Sequence, residues 1–87
     1  MKLTIINDDK TVYIDGLSLN NLALLTIPAN IHALQWVTIG GWIEFKDQAN
    51  EIINELPTWA NDAVTEWKAV KSQQDAAQAA ALAAVIA

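Results

Sequence analysis

The chain has 87 residues, with ten acidic residues against five lysines, one histidine, no arginine and no cysteine, and a formal net charge of −5. Hydrophobic residues make up 53% of it, so we expect one small folded domain and not a disordered chain. The lack of cysteine excludes disulfides and thiolate chemistry. An acidic chain without arginine is unsuited to binding the phosphates of nucleic acids.

Residues 1–56 predict a β-rich part of the domain. The N-terminal segment has no long apolar core, so we expect no signal peptide and no secretion by that route. Two short β-branched runs, residues 3–6 and 11–14, flank polar residues 7–10 and predict a β-hairpin. Residues 17–25 are leucine-rich, and we expect an irregular connection with buried leucines there.

A second hairpin is predicted from residues 31–39 and 42–46, joined by Gly40-Gly41 in a loop of two or four residues. Both loop lengths place the same side chains on the core face, because side chains alternate along a strand. That predicted face consists of Leu34, Trp36, Ile43 and Phe45. His32 falls on the same face and Trp42 on the opposite one.

Residues 57–87 predict one long C-terminal helix with an alanine-rich end, whereas residues 51–56 indicate neither helix nor strand clearly. The helix should begin near Ala60, with Thr58 or Asn61 as its N-cap. Two acidic residues are expected to interact with the positive end of the helix dipole: Asp62 and Glu66. The predicted fold class is α+β, in a single domain: two β-hairpins forming an antiparallel sheet of about four strands, followed by this helix.

Residue patterns that carry chemistry are sparse. His32 has no histidine or cysteine at metal-ligand spacing, and we interpret it as a hydrogen-bonded structural histidine at the edge of the core. Glu44, Glu51 and Glu55 are the only carboxylates near the sheet-to-helix junction, and so short a chain has little material for a catalytic cleft. No nucleophile elbow or phosphate loop occurs. We therefore expect no enzyme activity, no cofactor, no metal and no small-molecule substrate.

Two features suggest protein contacts. Trp42 either covers the rim of a small core or anchors an interface, where tryptophan is enriched. Residues 76–87 are too short to span a bilayer and lack a basic face, so we expect no membrane insertion. Their small side chains favour a helix–helix contact with another subunit, the alternative being a bare helix end of high propensity. The candidate interface residues are Trp42, Ala77, Ala81, Leu82, Val85 and Ile86.

One stretch of the sequence follows a familiar pattern. It comprises Asp15-Gly16, then Ile27-Pro28, then Ile31-His32-Ala33-Leu34-Gln35-Trp36, and finally Ile43-Glu44-Phe45 with Asn50-Glu51. Over roughly residues 11–56 the chain resembles small proteins, and domains of larger ones, from tailed bacteriophages that are described as virion structural or tail-fibre-associated. Trp42 departs from the usual glutamate of this pattern and Gln48 from the usual glycine.

The resemblance implies a non-enzymatic virion protein, part of or attached to the tail or tail fibre. Its partners would be other phage structural proteins or copies of itself, and it would be made in the host cytoplasm. The resemblance brings no catalytic or cofactor-binding residues. Two alternatives stay open: a tail-fibre assembly chaperone that is absent from the mature particle, and a small acidic phage protein that binds a host protein.

Overall fold

Six strands and one long helix make up the protein, and its computed structural model describes residues 1–86 apart from the side chain of Ile86. The elements are β1 Lys2–Ile6, β2 Thr11–Ile14, β3 Leu17–Leu19, β4 Ile31–Val37, β5 Gly40–Phe45, β6 Glu51–Ile53 and α1 Thr58–Ile86. The strands form one antiparallel sheet in the order β3-β2-β1-β4-β5-β6. The α+β class is confirmed, with six strands in place of about four.

The two additional strands, β3 and β6, extend the predicted hairpins at the two edges of the sheet. Each has three residues, which is too short for a visible alternation of apolar and polar side chains. β3 lies inside the leucine-rich segment that we expected to be irregular. Leu19, Leu22 and Leu24 of this segment are buried as expected, whereas Leu17 and Leu25 are exposed.

The core lies between one face of the sheet and the first turns of α1. The sheet contributes Leu3 and Ile5 from β1 and Leu34 from β4, all almost fully buried. Burying side chains of this size contributes about 1.5–3 kcal/mol each. The helix contributes two alanines, a valine and a tryptophan: Ala60, Ala63, Val64 and Trp67. Because alanine is small, α1 can approach the sheet closely and leave room for the Trp67 indole.

The Trp67 indole nitrogen has no hydrogen-bond partner among the described residues. An unpaired buried donor costs about 1–3 kcal/mol, which the apolar burial of the large ring offsets. The Trp67 side chain belongs to the core between the helix and the sheet.

The second hairpin turns at Thr38 and Ile39, so the predicted Gly40-Gly41 loop is wrong. Both glycines belong to β5. A Cβ at Gly41 would overlap the carbonyl oxygen of Gln35 and lie 2.8 Å from Trp36 Cα, so the close approach of the strands requires glycine there. Thr38 instead takes the left-handed conformation, with φ 54°.

The predicted core face nevertheless holds for Leu34, Trp36 and Ile43, which are all buried. The true register differs from both predicted ones by an even number of residues, and an even shift leaves each side chain on its face. Phe45 is half-buried and packs against the core.

A β-bulge at the start of β4 reverses the predicted orientation of His32. Ile31 pairs with Phe45 and Ala33 with Glu44, so His32 is the extra residue of the bulge and points outward. Our prediction that His32 shares the core face is therefore wrong. The buried Asn7 fixes this geometry. Its backbone N–H donates to the His32 carbonyl at 2.9 Å, and its side-chain amide donates to the Ile31 carbonyl at 2.9 Å.

The helix begins at Thr58, two residues before the expected start. The Pro57 carbonyl accepts hydrogen bonds from the N–H groups of Ala60 and Asn61 at 3.0 and 3.2 Å. Within residues 1–86 neither predicted cap, Thr58 or Asn61, forms a side-chain hydrogen bond to a helix amide. The capping prediction is wrong: the Pro57 carbonyl accepts the first hydrogen bonds of the helix, so Pro57 occupies the N-cap position.

The two acidic residues expected at the helix dipole lie beyond the first turn and hold a loop instead. The Glu66 carboxylate accepts hydrogen bonds from the backbone N–H groups of Ala23 and Leu24, at 2.5 and 2.9 Å. Asp62 accepts one from the Thr26 hydroxyl at 2.9 Å. Leu24 is buried with φ 48°, a conformation that costs about 1–3 kcal/mol outside glycine and needs such support.

Replacing Gly41 by alanine should destabilise the protein by at least about 2 kcal/mol, because the new methyl group meets backbone atoms that cannot move independently. Gly40→Ala is the matched control, since its Cβ would meet only the Ile53 carbonyl oxygen, at 3.4 Å. Urea unfolding measures both changes. Equal losses in the two variants would contradict the close approach at Gly41.

Glu66→Ala should cost about 1–3 kcal/mol, because two backbone N–H groups lose their charged acceptor. The amides of Ala23 and Leu24 should also exchange with deuterium faster. Asp75→Ala serves as the control, since it removes only an exposed ion pair with Lys71 and should change stability by less than about 1 kcal/mol. Unchanged protection of the Ala23 and Leu24 amides in Glu66→Ala would contradict the role of Glu66 in holding this loop.

Candidate functional site

The end of α1 extends beyond the body of the protein. Every side chain from Ser72 to Val85 is exposed, whereas the hydrophobic helix residues that form or contact the core lie between Trp59 and Val70. At a rise of 1.5 Å per residue, residues 72–86 form a rod of about 22 Å. We call this segment the helix end.

Four of the predicted interface residues lie on the helix end with exposed side chains: Ala77, Ala81, Leu82 and Val85. Leu82 is 59% exposed and Val85 is 83% exposed. The side chain of Ile86 lies outside the described part of the chain, as does Ala87. Val85 lies about five whole turns after Trp67 and therefore on the same side of α1. The stripe of side chains that packs on the sheet thus continues along the helix end, where no described residue covers it.

Trp42 lies elsewhere, on the sheet face that α1 leaves uncovered. It is 40% exposed, and its indole nitrogen donates to the Glu44 carboxylate at 3.0 Å. One cross-strand row runs over this open face through all six strands: Ser18, Tyr13, Thr4, Gln35, Trp42 and Ile52. Ile52, next to Trp42 at the sheet edge, is 88% exposed. The structure therefore separates Trp42 from the other candidate interface residues and gives it an apolar neighbour.

A groove of about 410 Å³ lies on the helix side of the sheet, where β5, β6 and the start of α1 meet. We call it the edge groove. Half-buried apolar side chains and two exposed carboxylates line it: Phe45, Ile53, Leu56, Trp59, Glu51 and Glu55. It is an open groove and not an enclosed cavity, which suits an extended polypeptide segment better than a small molecule.

A fourth surface feature joins the first hairpin loop to the ends of β4 and β5. The Asp8 carboxylate lies 3.0 Å from His32 Nδ1 and 2.6 Å from Lys46 Nζ. His32 is hydrogen-bonded as expected, but its partner is Asp8 at an exposed position and not at the edge of the core. First Lys46 and then His32, both bonded to Asp8, lower the pKa of the Asp8 carboxyl below its ordinary value.

Sequence reasoning did not predict the β6 edge as a surface for binding. It treated Glu51 and Glu55 only as possible catalytic carboxylates and found them unsuitable. The signal available was the segment from Glu51 to Glu55, in which two isoleucines stand between charged and polar residues. That segment is typical of a short edge strand, but its exposure depends on the strand order, which short-range patterns do not give.

The pKa of Asp8 should rise toward its ordinary value in Lys46→Gln, and by a smaller amount in His32→Gln, because each cation favours the charged carboxylate. Since the pKa of Asp8 is lowered in the folded state, its small contribution to stability is present above the ordinary aspartate pKa. It is lost as the pH falls through the lowered value. NMR titration of the Asp8 carboxyl carbon measures the pKa change in each of the two variants. Lys68→Gln is the control, and an equal shift in that variant would contradict the assignment.

Comparison with protein families, with curated proteins and with solved structures gives no match for this chain. Within the described residues no helix has the length and hydropathy to cross a membrane, and no group of three metal-binding side chains occurs. Three surfaces of the protein are therefore the candidates for function: the helix end, the open face with Trp42, and the edge groove.

Proposed function

We propose that this chain is a non-enzymatic structural protein of a bacteriophage particle, part of or attached to the tail or tail fibre. It acts through contacts with other phage structural proteins or with copies of itself. The resemblance over residues 11–56 supports the assignment to a phage particle. The exposed surfaces support action through protein contacts.

The observation that carries the mode of action is the exposed helix end. The body of the protein already contains its own core, which needs the helix only as far as Lys71. Seven of the fifteen residues of the helix end are alanine. A helix segment that projects from its domain has little to stabilise it except its own hydrogen bonds and whatever it contacts. Leu82 and Val85 lie on the same side of α1 as the residues that pack on the sheet earlier in the helix. A partner that contacts this side of the helix end can therefore bury them.

A tail-fibre assembly chaperone is the second candidate, because the same exposed helix end suits a transient contact. Mass spectrometry of purified phage particles separates the two functions. A structural protein is present in a fixed copy number, whereas a chaperone is absent from the finished particle.

Deleting residues 76–87 should leave a folded body, because the side chains removed make no contact with the core among the described residues. The thermal midpoint should change by less than a few degrees. Incorporation into particles should fall at least tenfold, as measured by quantitative mass spectrometry. Unchanged incorporation of the truncated chain would refute the role of the helix end.

Two single substitutions refine this experiment. Ala81→Glu places a charge on the continued core stripe and should reduce incorporation strongly. Ala83→Glu makes the same change about 160° away from Trp67 around the helix and should have little effect. If both variants behaved alike, the contact would not use the stripe.

A further inference from the structure

We infer that the free side of β6 and the edge groove together bind an extended, cationic segment of a partner protein, which adds to the sheet as a seventh strand. The inference deepens the proposed function and rests on it in one respect: it takes the partner to be another component of the same particle. Three observations support it, on the backbone, the side chains and the charges of this edge.

The backbone observation is that β6 is an outermost strand. It pairs with β5 through Gly41↔Ile53, Trp42↔Ile52 and Ile43↔Glu51, and within residues 1–86 no strand pairs with its other side. An outermost strand carries backbone N–H and C=O groups that can pair with an added chain. Extended peptides bind many proteins in this way, with main-chain hydrogen bonds for affinity and side-chain pockets for specificity.

The side-chain observation is that both faces of the sheet are apolar at this edge. Ile52 lies on the open face beside Trp42, and Ile53 lies on the other face in the edge groove. An added strand directs its side chains alternately to the two faces, so both sets meet apolar surface. Edge strands are usually protected by lysine, proline or a covering loop, whereas Ile52 is 88% exposed.

The charge observation identifies the partner's chemistry. Glu51 and Glu55 both line the edge groove and both are exposed, and neither carboxylate forms a hydrogen bond or ion pair with another described residue. Lysine or arginine residues beside the apolar residues of a bound strand would meet these carboxylates.

A second copy of this chain is a poor occupant of the β6 edge, because it would bring further negative charge to Glu51 and Glu55. Pairing two copies through β6 brings their Glu51 side chains to the same small region, and each copy carries a net charge of −5. The edge therefore favours a cationic partner over self-association.

The test uses the full chain, labelled with ¹⁵N, and two blocked synthetic peptides, Lys-Val-Ile-Val-Lys and Glu-Val-Ile-Val-Glu. The cationic peptide should shift the amide signals of residues 51–53 in a saturable way. The anionic peptide should bind at least tenfold more weakly. Equal binding of the two peptides, no saturable shift at millimolar concentration, or shifts confined to other strands would each overturn the inference.

Charge-reversed variants separate local from overall charge. Glu51→Lys with Glu55→Lys should weaken binding of the cationic peptide at least tenfold and strengthen binding of the anionic one. The control is Asp9→Lys with Asp75→Lys, which changes the net charge equally at exposed positions away from β6. If the control weakened binding as much as the test variant, the groove carboxylates would not be responsible. The amide spectrum of each variant verifies folding, and Glu51→Gln with Glu55→Gln provides a neutral pair if reversal disturbs β6.

The peptide measurements do not depend on particle assembly. A negative peptide result together with loss of incorporation on deleting residues 76–87 overturns the inference and leaves the proposed function standing. Peptide binding together with absence of the chain from particles overturns the proposed function alone.

Discussion

The packing of the first turns of α1 on one face of the sheet determines which other surfaces of the protein are accessible. Ala60, Ala63, Val64 and Trp67 use up the apolar face of the helix that lies over the sheet. The sheet has a second face, and α1 has a second half, but among the described residues 1–86 no further element covers either. The open face, the edge groove and the helix end are all consequences of covering a six-stranded sheet with a single helix.

The sequence was sufficient for the fold class, for the first hairpin and for the core face of the second, and each for a local reason. Alternation fixes which side of a strand is buried, and it does so even when the register is wrong, as for Leu34 and Ile43. It could not locate the turn, because Gly40-Gly41 is as suitable for a loop as for a close approach of two strands. Only the position of Trp36 across the sheet decides between these uses.

Long-range hydrogen bonds explain most of what could not be predicted. The outward position of His32 depends on a bulge supported by Asn7, which lies 25 residues earlier in the chain. Glu66 was expected to interact with the helix dipole, yet it holds the backbone of Ala23 and Leu24. Of the candidate interface, the exposure of the helix end followed from composition, whereas the β6 edge required the strand order. Local sequence patterns do not show which distant residues meet through hydrogen bonds, nor the order of the strands in the sheet.

The length of the helix end also fixes an orientation. Each residue of an α-helix advances about 1.5 Å and rotates about 100°, so a partner held at Val85 has a defined direction relative to the sheet. Inserting one or two residues after Ser72 would turn the contact face away while hardly changing its distance. Inserting seven would restore the direction to within about 20° and move the partner outward by about 10 Å. The helix end thus acts as a spacer, and its number of residues determines both the distance and the direction of a bound partner relative to the sheet.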